Sequence, residues 1–128
     1  MPLTTTERGR LAEDLAATYL TLRGYLIQER NFRFSRYEID LVARRGDLVA
    51  LVEVKYRSGR STGGAAAALT REKKRFLEMA AVGYLERHPD PELRLRFDMV
   101  LVDEDDGAGR LVLRHVPGAW RAGSRLRA

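Results

Sequence analysis

Tyr37-Glu38-Ile39-Asp40-Leu41 and Leu51-Val52-Glu53-Val54-Lys55 flank a Gly46-Asp47 turn signal. Two apolar runs around such a pair spell a β-hairpin. Side chains alternate along a strand, so a Gly46-Asp47 loop sets Asp40 opposite Glu53, whereas an Arg45-Gly46 loop sets it opposite Leu51, two places away on the same face. Either register puts Asp40, Glu53 and Lys55 on one side. Their neighbours are Ile, Leu, Val and Ala, so the charges stand in strands that read as buried on both faces, where an unpaired charge is costly. Two carboxylates a few ångströms apart repel by roughly 1 to 4 kcal/mol. A divalent cation reverses that sign. Hard ions such as Mg²⁺ are held by one or two carboxylates plus substrate phosphate, which points to phosphodiester chemistry with Asp40 and Glu53 as ligands.

Working outward, Thr4-Thr5-Thr6-Glu7 reads as a capping box, and Leu11, Leu15, Tyr19 and Leu22 follow at helical spacing until Gly24. Strands are expected over Tyr25 to Phe32, Tyr37 to Arg44 and Leu48 to Tyr56. A loop at Ser58-Gly59-Arg60-Ser61-Thr62-Gly63-Gly64 is either a substrate-gripping element or a plain connector. A second helix is expected over Ala65 to Leu85, with Phe76, Leu77, Ala80, Ala81, Tyr84 and Leu85 as its apolar face. Strands over Leu93 to Asp103 and Arg110 to Val116 follow, separated by a solvated acidic turn, Asp103-Glu104-Asp105-Asp106-Gly107. The order αβββαββ implies a single α/β domain with a mixed central sheet flanked by helices, over residues 1–116, and a basic, loosely ordered tail over 117–128.

The 128 residues suit one domain. A net charge of +5, almost all of the excess being arginine, favours phosphate contact, the alternative being a codon bias that puts arginine in place of lysine. Cysteine is absent, which excludes disulfides and thiolate metal sites. With no apolar stretch of membrane-spanning length and no signal-peptide core in residues 1–10, the expectation is a cytoplasmic protein without a membrane partner.

An acid on the second strand and an acid-x-lysine on the third, within this element order, resemble the PD-(D/E)xK restriction-endonuclease-like superfamily, with Asp40 and Glu53-Val54-Lys55 at the signature positions. The longer string is more specific. Gly9, Glu13, Arg30-Asn31, Glu38-Ile39-Asp40-Leu41, Val52 to Arg57, Gly63-Gly64-Ala65, Thr70, Lys73 and Arg96-Phe97-Asp98 together are similar to the bacterial YraN-like (UPF0102) family, over about Gly9 to Asp103. That family's fold resembles Holliday-junction resolvases. Two departures stand out: Tyr37 where the family usually has glycine, and Lys74 where a glutamine commonly follows the lysine.

The resemblance implies that the Val54 carbonyl is a third metal oxygen and that Glu13, on the helical row of Gly9, Ala16, Ala17 and Leu20, completes the site; the alternative for Glu13 is an ordinary surface role. It also makes Lys55 the conventional general base. Adjacent carboxylates favour the charged amine, so Lys55 reads better as a cation that orients water and stabilises charge on the phosphate. Glu38 is a supporting acid or pairs with an arginine such as Arg57. Asp98 reads as a strand anchor, and His88 and His115 as structural. Arg57, Arg60, Lys73, Lys74 and Arg75 form a candidate phosphate-binding cluster, the alternative being a solvated helix start.

The expected activity is therefore a Mg²⁺- or Mn²⁺-dependent endonuclease acting on DNA, with branched or junction DNA as the suggested substrate and a twofold homodimer as the form that cuts both strands. The first alternative is a catalytically inactive DNA-binding accessory protein. The second is a protein-interaction module whose carboxylates serve only stability.

Overall fold

The computed structural model describes residues 3–58, 68–105 and 109–122. Helix α1 (Thr5–Leu22) starts at the expected box: Thr4 Oγ1 accepts the Glu7 N–H at 3.1 Å and Glu7 Oε1 accepts the Thr4 N–H at 2.9 Å. It stops at Gly24, whose φ of +90° a side chain would oppose, and the turn lets the Tyr25 N–H reach the Leu20 carbonyl at 3.0 Å.

Strands β1 (Leu26–Phe34), β2 (Tyr37–Arg45) and β3 (Leu48–Arg57) follow as an antiparallel meander, then helix α2 (Arg71–Arg87), β4 (Arg94–Asp105) and β5 (Arg110–Trp120). The sheet order is β1-β2-β3-β4-β5, with β3 and β4 parallel and β5 antiparallel to β4. Parallel neighbours need a long crossover, and α2 supplies it. The expected αβββαββ mixed sheet is thus the observed one.

The helices cover opposite faces. Ala12, Ala16 and Leu20 of α1 pack on Leu41, Ala43, Ala50, Val52, Val100 and Val102, whereas Leu77, Ala80, Ala81 and Tyr84 of α2 pack on Ile39, Val42, Val49, Leu51, Met99 and Leu101. On α1 the innermost row is therefore the alanines, one position away from the larger row expected, and Leu22 is 80% exposed. Small side chains let the helix approach a sheet closely. On α2 the close approach is at Gly83, where a Cβ would lie 2.0 Å from Cγ of Phe34.

Other boundaries differ from expectation. Helix α2 starts at Arg71, with Thr70 Oγ1 accepting the Lys73 N–H at 3.1 Å, so Leu69 and Thr70 precede it; residues 65–67 of the expected helix lie outside the described residues. Asp103, Glu104 and Asp105 belong to β4 and are not a solvated turn: Arg57 and Arg114 bind Asp103, the Tyr56 hydroxyl binds Glu104, and Arg110 binds Asp105 at 2.8 Å.

Strand β5 continues beyond Val116, so Pro117 to Trp120 belong to the sheet rather than to a loose tail; residues 123–128 lie outside the described set. The fully buried Asp98 organises this end. It accepts both arms of the Arg96 fork at 2.7 Å, the Gly118 N–H at 3.0 Å, and lies 2.8 Å from His115 Nε2. Burial alone would raise its pKa, but the hydrogen bonds from His115, Arg96 and Gly118 outweigh it and hold the carboxyl below its ordinary value. Asp98 and His115 thus tie β5 to β4, and His88 stacks on Tyr84.

Candidate active site

The β2–β3 ladder pairs Leu41 with Val52 and Arg45 with Leu48, the register of a Gly46-Asp47 turn, which sets Asp40 opposite Glu53. One step beyond Leu41 the side chain of Asp40 takes over from the backbone: its Oδ2 accepts the Val54 N–H at 2.7 Å. Strand β2 is irregular there. Ile39 packs in the core beneath α2 and Leu41 in the core beneath α1, so side-chain alternation slips at Asp40. In β1 the position between Arg30, paired with Leu41, and Phe32, paired with Ile39, is Asn31, which carries a φ of +54°. A non-glycine residue in that region marks a locally distorted strand.

The Asp40 carboxyl faces that of Glu53, which is 8% exposed. Burial first, then the shared hydrogen bond and the negative charge of Glu53, push the Asp40 pKa up to about 8, against the opposing effects of the Val54 N–H and Lys73. The pair therefore holds a proton through much of the neutral range.

The cation beside this pair is Lys73, from the first turn of α2, with Nζ 3.0 Å from Glu53 Oε2. Its pKa is raised: burial works to lower it, but the carboxylates of Glu53, Asp40 and Glu38 prevail. Lys73 is an ammonium ion here, not a base. Lys55 is exposed, and among the described residues it forms no ion pair with Asp40 or Glu53. The expected convergence thus holds for the two acids, and Lys73 occupies the place expected of Lys55.

Glu13 reaches the same region from α1. Burial, then the charge of Asp40, raises its pKa, while a hydrogen bond with Asn31 and the charge of Arg30 oppose the rise. Arg30 lies 3.8 Å from Glu13 and 2.6 Å from Asp14. Glu38 pairs with Arg33 at 3.4 Å and not with Arg57. Arg57 is instead nearly buried, and its fork grips Asp103 at 2.6 and 2.9 Å, so its guanidinium is already engaged. Arg60 and the 59–67 segment lie outside the described residues. Lys74 and Arg75 sit on the first turns of α2, Arg75 exposed to solvent.

Sequence reasoning missed two features. Asn31 entered only as part of a motif, although asparagine is a common non-glycine occupant of positive φ. Lys73 was placed among phosphate contacts, although a β3-α2-β4 crossover starts its helix at the end of β3 that carries Glu53.

The donor set fits a hard divalent cation. Two facing carboxyls, with that of Asp40 raised in pKa, are a site whose repulsion a metal relieves, and both present oxygen. Among the described residues no cluster of three or more His, Cys, Asp or Glu side chains suited to a metal is present. Remaining ligands would be backbone, water or substrate oxygens, as magnesium prefers. Among the described residues no helix is long and apolar enough to cross a membrane.

Comparison with known proteins supplies the family. Residues 12–102 match the model of the Uncharacterised protein family UPF0102. The chain is 44% identical to a UPF0102 protein of Paramagnetospirillum magneticum over 119 residues, covering 89% of this chain and 87% of that one. It is 48% identical to a UPF0102 protein of Dechloromonas aromatica over 100 residues, 78% and 82% of the two chains. A UPF0102 protein of Chlorobaculum tepidum is 34% identical over 121 residues, 91% and 94% of the two. With a matching family model across most of its length and relatives of nearly its own size, the chain belongs to the UPF0102 family.

Proposed function

We propose that this protein is a Mg²⁺- or Mn²⁺-dependent endonuclease hydrolysing phosphodiester bonds in DNA, with branched or junction DNA as its substrate. The observation that carries the reading is the facing pair of Asp40 and Glu53 where the β2–β3 ladder gives way to a side chain, with an ammonium group on Glu53. Asp40 and Glu53 would hold the ion, with the Val54 carbonyl as a further ligand. When bound, the ion lowers the pKa of an attacking water and neutralises phosphate charge.

The chain's own groups do the rest. The Val54 N–H fixes the orientation of Asp40. Lys73 places a fixed positive charge beside the pair, where it stabilises the extra negative charge of a five-coordinate phosphate. Lys55, exposed on the same strand as Glu53, orients the water or the phosphate from the solvent side. Glu13, held through Asn31, adds negative charge that strengthens cation binding. Cutting two strands symmetrically needs two such sites, hence a twofold homodimer.

Incubating the protein with labelled duplex, flap and four-way-junction DNA, with and without Mg²⁺ or Mn²⁺, tests this. Metal-dependent cutting that Asp40→Asn abolishes is expected. No cutting on any substrate, with DNA binding unchanged by Asp40→Asn, contradicts it.

One observation favours a second reading, a DNA-binding accessory protein without turnover. Lys73 and the proton on Asp40 together balance the charge of the pair in the metal-free chain. A salt-sensitive gel shift in EDTA without cleavage in metal would single that reading out.

A further inference from the structure

Beside the acid pair, α2 and the β1–β2 turn enclose an open groove of about 560 Å³ lined by Arg36, Tyr37, Arg71, Glu72, Arg75 and Phe76 among others. Tyr37 and Phe76 meet edge to face with ring centroids 5.2 Å apart, and the Arg36 guanidinium lies 5.4 Å from each centroid. Three guanidinium groups against one carboxylate give the groove a positive excess. The same two elements carry both features: Phe76 stands one helical turn after Lys73, which touches Glu53, and Tyr37 stands three residues before Asp40 on β2.

We infer that this groove binds one unpaired nucleotide of a nucleic-acid strand, its base stacked on the Tyr37–Phe76 pair and its phosphates on Arg36, Arg71 and Arg75. Aromatic faces recognise any base that has left its stack, and guanidinium planes stack on bases as well as pairing with phosphates. A fully paired duplex keeps its bases inside and cannot fill the groove. The inference rests on the proposed nuclease reading for its choice of ligand and deepens it. It makes the substrate one with a single-stranded arm next to the scissile phosphate.

The test is fluorescence anisotropy in Ca²⁺, with labelled duplexes that are blunt or carry a short oligothymidine arm. Wild-type protein is expected to bind the armed probe about tenfold tighter than the blunt one. Arg36→Ala/Arg75→Ala and Phe76→Leu are each expected to lose most of that preference, and Phe76→Leu, which removes no charge, to keep blunt-duplex affinity within about twofold. Equal affinity of wild type for both probes, or a preference that survives in both variants, overturns the inference. Should either variant fail to fold, photocrosslinking of wild-type protein to a 5-iodouracil arm decides. Adducts at Tyr37 or Phe76 support the groove, and adducts confined elsewhere overturn it. Preference without any Mg²⁺-dependent cutting contradicts the hydrolase and supports the groove; cutting without preference contradicts the groove alone.

Discussion

Lys73 Nζ and Glu53 Oε2 lie 3.0 Å apart, joining the first turn of α2 to the acid pair between β2 and β3. The contact places a monovalent cation next to the position proposed for a divalent one. Replacing Lys73 by Met removes that compensation. Because the side chain is 47% exposed, the expected loss of metal-free stability is modest, about 1 kcal/mol. The rise in melting temperature on adding Mg²⁺ should be larger than in wild type, since Glu53 is then left for the metal to neutralise. Melting curves with and without Mg²⁺ check both signs.

Asp40 predicts a pH dependence. Its folded-state pKa of about 8 lies above its unfolded value near 3.8, so the stability it contributes is present in full below about pH 4 and lost as pH rises through 8. Asp40→Asn keeps an acceptor for the Val54 N–H and a donor toward Glu53 without the titrating proton. In EDTA, that variant should gain stability relative to wild type steadily as pH rises from 5 to 8. Urea denaturation across that range measures it, and a constant difference would contradict the assignment.

Gly83→Ala drives a methyl group to 2.0 Å from the Phe34 ring. Overpacking of this kind costs about 1 to 3 kcal/mol. Adding Phe34→Leu should recover part of that loss, a coupling that a double-mutant cycle in urea would read directly.

Asp98→Asn leaves Arg96 and His115 facing a neutral amide at a fully buried position. A loss of about 3 kcal/mol is expected, with Trp120 fluorescence reporting a loosened β5. A loss below about 1 kcal/mol would mean that the network does not hold β5.

The hairpin was legible because two turn residues fix a register, and the Gly46-Asp47 register carried Asp40 to Glu53. The capping box at Thr4 was equally local. Less legible was the inward face of α1, where bulk pointed to Leu11, Leu15, Tyr19 and Leu22 although a sheet admits a helix most closely along its alanines. Lys73 is legible as a residue that opens the second helix, but its contact with Glu53 depends on how that helix docks on the sheet, which spacing along the chain does not give. Strand β5 was cut short at Pro117. An edge position tolerates proline, and the register shift between Phe97 and Met99 accommodates Pro117 and Gly118 opposite Asp98.

If Asp40 and Glu53 form a divalent-cation site, Mn²⁺ titration followed by electron paramagnetic resonance at pH 8 will show it. Saturable Mn²⁺ binding is expected of the wild-type protein, displaced by Mg²⁺ and lost in both Asp40→Asn and Glu53→Gln. Binding that is unchanged in either variant, or absent from a folded wild-type chain, would contradict it.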